Sequence, residues 1–131
     1  MKKKGFGIIG LGMISEFHAK AIEHINGARL IAGFDPVPGK ARAFAQKHGC
    51  MGYENLADFL NNPEIDIVTI ATPSGLHLDG AVASAKAGKH VIVEKPLEVT
   101  PERCKVIIDA CKKNKVKLTG VFPSRYHDAS R

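Results

Sequence analysis

No run of apolar residues in this 131-residue chain approaches the ~20 that a membrane-spanning helix needs, so such a segment is excluded. Cysteine is scarce and odd in number: Cys50, Cys104 and Cys111, with no CxxC pair. On one helix, Cys104 and Cys111 would stand about 10 Å apart along the axis, too far for a disulfide. A disulfide scaffold is excluded, and the cysteines read as buried thiols in a reducing cytoplasm. The histidines are scattered without ligand spacing, so no metal site is expected. Internal repeats, low-complexity stretches and linkers are missing too.

What is present is an ordinary globular composition, 44% apolar and 24% charged, which excludes disorder and collagen. The length suits one domain with a core that needs no staples. Net charge is +6, with much of the excess in Lys2–Lys4 and in Lys112, Lys113, Lys115 and Lys117. Such clusters attract nucleic acid or acidic lipid in some proteins. Here they precede a first strand and close a helix, where cations suit the dipole, and they read as solvated ends. Neither nucleic acid nor membrane is an expected partner, and a positive field also suits a small anionic ligand. Lys2-Lys3-Lys4, the run 6–14 and Ala19-Lys20-Ala21 have the outline of a secretory signal. Glu16, Phe17 and His18 interrupt it, and cleavage would delete the most informative motif in the chain.

The apolar run Phe6-Gly7-Ile8-Ile9 ends in Gly10-Leu11-Gly12, a buried strand entering a tight turn. Ile14, Phe17, Ala21 and Ile25 then fall at helical spacing and predict the apolar face of a helix stopped by Asn26-Gly27. Further strands are predicted over 30–34, 65–71, 90–93 and 116–122, with a short edge strand over 51–53. Helices are predicted over 39–48, 55–60 and 76–87, and another opens at Thr100-Pro101-Glu102 with a cap, a proline and an acid. Strands that alternate with helices and are apolar throughout require a parallel sheet covered on both faces. The expected fold is a doubly wound α/β domain of about six strands in the order 3-2-1-4-5-6.

Gly10-Leu11-Gly12-Met13-Ile14-Ser15 follows a strand and opens a helix, the context of a dinucleotide fingerprint. Gly10 would allow the turn, Gly12 would let a pyrophosphate approach, and the N–H groups from Met13 and Ile14 onward would meet the phosphates. Ser15 replaces the third glycine, and two glycines in such a turn also occur without any nucleotide. Asp35 ends the second strand, 25 residues after Gly10, where an acid takes a ribose hydroxyl pair and repels a 2′-phosphate. NAD is therefore favoured over NADP, although Lys40 offers a cation and Asp35-Pro36 would also serve as a plain turn.

Gly10-x-Gly12 with His18 and Ala21, Ala71-Thr72-Pro73 with His77, and Glu94-Lys95-Pro96 together resemble the Gfo/Idh/MocA oxidoreductases over roughly 6–126. That resemblance implies a cofactor site of Gly10, Gly12, Met13, Ile14, Asp35, Thr72, Pro73, His77, Glu94 and Lys95. In it Glu94 lies near the nicotinamide ribose, while Lys95 contacts the substrate hydroxyl and assists its proton transfer. An ammonium suits that role because it polarises an oxygen. For His77, packing at a helix start competes with cofactor contact; Glu94 and Lys95 would also make an ordinary surface ion pair. His18 reads as a packing residue.

Members of that family carry a second α/β domain that supplies most substrate contacts and a further catalytic histidine. The expectation is a dinucleotide-binding domain over 1–122 and, over 123–131, the start of a passage to a domain absent from this chain. His127 stands too early to be that histidine. The implied activity is hydride transfer between nicotinamide and a hydroxyl of a sugar, cyclic polyol or sugar derivative. The expected protein is a cytoplasmic homo-oligomer whose isolated first domain is inactive. A non-catalytic NAD-binding sensor or subunit is the alternative reading.

Overall fold

Apolar β-branched runs alternate with amphipathic segments, and the chain folds accordingly. The computed structural model describes residues 4–72, 77–94 and 101–121, with the side chains of all but residues 14, 77, 78, 94, 101, 103, 104, 120 and 121. The elements are β1 (Lys4–Ile9), α1 (Met13–Glu23), β2 (Ala28–Phe34), α2 (Lys40–His48), β3 (Met51–Tyr53) and α3 (Leu56–Leu60). They continue as β4 (Ile67–Ile70), α4 (His77–Lys86), β5 (His90–Glu94), α5 (Pro101–Lys113) and β6 (Leu118–Val121). Every strand pairing is parallel, in the order β3-β2-β1-β4-β5-β6 that the sequence predicts.

Two apolar layers hold the sheet between helices. On one face Ile8 and Ala28 pack with Ala19 and Ile22 of α1 and Phe44 of α2. On the other, Ile9, Val68, Ile70, Val91 and Val93 pack with Phe59 of α3, Ala81 and Ala85 of α4, and Ile107 and Cys111 of α5. Ile8 and Ile9 enter opposite layers because successive side chains on a strand point to opposite faces.

The α1 helix turns a different side inward from the one its large apolar residues predict. Ser15 and Ala19 are fully buried and Ile22 nearly so, whereas Phe17 is 67% exposed, Ile25 50% and Met13 80%; Ala21 is exposed as well. The reason is distance. A helix that springs directly from a tight turn at the strand's end starts close against the sheet, and over its first two turns only small side chains fit between. The bulky residues are left on the solvent side.

Register slips once. Phe6 pairs with Leu30, but the next residue of β1, Gly7, pairs with Ala32, so Ile31 is a bulged residue in β2. Leu30 packs in the α1–α2 layer, Ile31 and Ala32 both enter the opposite layer, and Gly33 returns to lie under Phe44 and Leu11.

Candidate functional site at the carboxyl edge of the sheet

The predicted site residues come from the carboxyl ends of adjacent strands. The N–H of Gly10 donates to Phe34 O at 2.9 Å, that of Asp35 to Tyr53 O at 3.1 Å and that of Ala71 to Ile9 O at 2.8 Å. Ile70 pairs with Val93, which places Glu94 one residue further along β5. Gly10, Asp35, Ala71-Thr72 and Glu94 thus stand at one sheet edge. The chain winds outward in opposite directions from β1 and β4, and the crevice at such a switch point is where open α/β sheets bind ligands.

The two glycines of the turn do different work. Gly10 has φ +93°, and a Cβ there would lie 2.8 Å from the Thr72 nitrogen, so both conformation and the approach of β4 require glycine. Gly12 has φ −84° and ψ −160°, which any residue adopts, and a Cβ there would meet nothing within 4 Å. Among the described residues nothing demands a glycine at 12; the missing side chain leaves an open cradle at the start of α1. The backbone N–H groups of Met13 and Ile14 belong to the first turn, where helical N–H groups have no intrahelical acceptor. The donor set and the open backbone fit a pyrophosphate.

Ser15 takes the third position of the motif. It is fully buried, and its hydroxyl donates to Gly12 O at 2.6 Å. A small side chain that bonds back to the turn permits the close helix–sheet contact a third glycine would otherwise provide.

Asp35 is 7% exposed, and both carboxylate oxygens accept backbone donors: Oδ2 from Leu11 at 3.0 Å and Oδ1 from Val37 at 2.9 Å. Each oxygen keeps acceptor capacity for a ribose hydroxyl. Lys40 is exposed at the first position of α2. Thr72 is half-buried beside Gly10. His77 opens α4 and Glu94 closes β5. The side chains of Ile14, His77 and Glu94 lie outside the described set, as do Pro73 and Lys95 entirely. Among the described residues no group of three His, Cys, Asp or Glu could hold a metal ion. No helix there is long and apolar enough to cross a membrane.

Sequence reading missed a charged cluster behind the turn. Glu16, in the first turn of α1, meets Lys47 Nζ at 3.1 Å and His48 Nε2 at 3.0 Å, and the other ring nitrogen of His48 meets Glu23 at 3.3 Å. Burial alone would raise the Glu16 carboxyl, but hydrogen bonds from Lys47 and His48 outweigh it and hold it below the usual carboxylate range. The partners are 31 and 32 residues from Glu16, so no local spacing betrays them.

Residues 4–122 match the Gfo/Idh/MocA oxidoreductase family, NAD-binding Rossmann fold. The chain is 34% identical over 124 residues to inositol 2-dehydrogenase of Salmonella typhimurium, covering 92% of this chain and 37% of that protein. It is 35% identical over 135 residues to scyllo-inositol 2-dehydrogenase (NAD(+)) of Bacillus subtilis, covering 95% and 38%. Among solved structures it is similar to the WlbA dehydrogenase of Bordetella pertussis in complex with NADH and UDP-GlcNAcA, with a TM-score of 0.87 and 36% identity over 92% of this chain and 37% of that one. It therefore spans little more than a third of the relatives it matches. With its glycine turn, its strand order and this match, the chain belongs to the Gfo/Idh/MocA oxidoreductase family.

Proposed function

We propose that this chain is the cofactor-binding domain, residues 1–122, of a dehydrogenase that oxidises a hydroxyl of a sugar, cyclic polyol or sugar derivative with NAD. Residues 123–131 begin the passage to a second domain that holds the substrate. The observation that carries the reading is the open backbone at Gly12 beside a buried carboxylate at Asp35. The dehydrogenases named above support it against a sensor role, and their inositol and nucleotide-sugar names support the substrate class.

When bound, NAD supplies the hydride acceptor. Gly10 sets the turn, and the N–H groups of Met13 and Ile14 receive the pyrophosphate. Asp35 accepts the hydroxyls of the adenosine ribose and excludes a 2′-phosphate. Thr72, Pro73 and His77 wall the cofactor from the β4 side, and Glu94 holds the nicotinamide ribose. Lys95, next after β5, donates to the substrate oxygen and takes part in its proton transfer. The free thiols of Cys50 and Cys111 suit the reducing cytoplasm in which we place the protein. Exposed Met13 and Phe17 favour self-association, which sedimentation at rising concentration would register.

Titration calorimetry with NAD+ and NADP+ tests the cofactor reading. NAD+ should bind more tightly; equal or reversed affinities would remove Asp35 from the ribose.

A further inference from the structure

The acid in the first turn of α1 poses an electrostatic problem. A carboxylate there stabilises a bare helix through the positive end of its dipole. The same charge opposes an anion arriving at that end. Glu16 stands three residues beyond Met13, about 4.5 Å along the axis.

The structure answers with two basic side chains from α2. Lys47 and His48 converge on the same oxygen of Glu16, at 3.1 and 3.0 Å. The His48 side chain is 6% exposed, lies 4.5 Å from the Phe44 ring and reaches Glu23 with its other nitrogen at 3.3 Å. Carboxylates offer only acceptors, so both contacts are hydrogen bonds when the imidazole is protonated on both nitrogens. In that form the four side chains sum to zero charge, and one ring spans from the first turn of α1 to its last residue.

We propose that Lys47 and His48 are positioning residues for the cofactor site: they cancel the charge of Glu16, so that the start of α1 presents its positive end to the pyrophosphate. The depressed carboxyl of Glu16 accords with that pairing. This inference rests on the proposed binding of NAD at the glycine turn. It assigns Glu16 to holding the end of α2 against α1, and the two basic side chains to making that acid harmless to an anionic ligand.

The test is a double-mutant cycle on the full chain, read by NAD+ titration at low and high ionic strength. Lys47 is 64% exposed, so its replacement leaves the core intact. Lys47→Gln should weaken NAD+ by about twofold to fivefold at low salt, the size of one uncancelled charge near two phosphates, and by less in high salt. Glu16→Gln should bind at least as tightly as the parent, and the double variant, with both charges gone, should return to near parental affinity. Lys47→Arg should restore parental affinity. If Lys47→Gln is silent, or if adding Glu16→Gln to it does not rescue the lost affinity, the charge-cancelling role is overturned while NAD binding stands. If the parent chain fails to take up NAD+, both the cofactor reading and this inference fall.

Discussion

The backbone N–H of Leu11 donates to Asp35 Oδ2 at 3.0 Å, so the acid at the end of β2 holds the turn that follows β1. Because Oδ1 takes the N–H of Val37, the carboxylate braces two backbone segments before any ligand arrives. Asparagine offers one acceptor oxygen and would turn an amide donor toward one of those N–H groups. Asp35→Asn should therefore lose about 1–3 kcal/mol of stability and most of the preference for NAD over NADP. Urea unfolding and paired cofactor titrations would show both effects; an intact preference would mean that another group reads the ribose.

The glycines at 10 and 12 should separate stability from binding. Gly10→Ala forces a left-handed conformation on a residue with a Cβ and drives it against Thr72, so its melting temperature should fall clearly. Gly12→Val finds open space and an ordinary backbone, so its melting temperature should stay near the parent's. Its NAD+ affinity should collapse nonetheless. A Gly12→Val chain that binds normally would place the pyrophosphate elsewhere.

Lys89 is a buried ammonium, 8% exposed, that donates to Asn62 O at 3.0 Å and Ile65 O at 2.7 Å. It ties the start of β5 to the loop before β4, at the edge opposite the glycine turn. Burial holds its pKa below the usual lysine range, against a partial lift from Asp66. Lys89→Met should destabilise the domain by about 1–3 kcal/mol through two abandoned carbonyls. Cofactor affinity should not move, and a loss of affinity without a loss of stability would contradict this assignment.

Two groups give stability opposite slopes with pH. Glu16 is held below its ordinary value, so its contribution is present above the unfolded carboxylate range and is lost as pH falls through the native value. Denaturant melts of parent and Glu16→Gln across that acid window should show a shallower slope in the variant. Burial first, and the nearby Glu23 second, push the Cys50 thiol up from 9.0 to about 11. Its contribution is present below 9.0 and is lost as pH rises toward 11. At pH near 8, a thiol reagent should modify native Cys50 far more slowly than the unfolded chain. Equal rates would mean an exposed thiolate.

In the proposed function Lys95 acts chiefly on the substrate oxygen. In the complete protein, Lys95→Ala should lower kcat strongly and leave NAD+ affinity near the parent value. Steady-state kinetics with a parallel titration would decide, and near-normal turnover would reduce Lys95 to a structural residue. Positioning of donor carbon and acceptor can supply roughly 7–11 kcal/mol of a barrier, and the proposed function leaves the substrate's side of that positioning to a second domain. Its own turnover should be negligible.

The sequence by itself determined the alternation of apolar strands with helices, and hence the parallel sheet, its order and the edge at which Gly10, Asp35, Thr72 and Glu94 gather. Those features follow from local residue types and from the handedness of crossovers. The buried side of α1 was not legible, because periodicity finds an apolar stripe but not the separation between helix and sheet. Ser15 and Ala19 win that face by being small, and Phe17 loses it by being large. The Glu16–Lys47–His48–Glu23 cluster joins residues distant in sequence and exists only once α1 and α2 lie side by side. The bulge at Ile31 is the clearest case. Side chains alternate along a regular strand, so the same residues paired without the bulge would have turned Asp35 toward the α3–α5 layer. The bulge reverses that parity and turns the carboxylate toward Leu11 and the start of α1, an outcome set by how β2 pairs with β1 and by nothing in β2 alone.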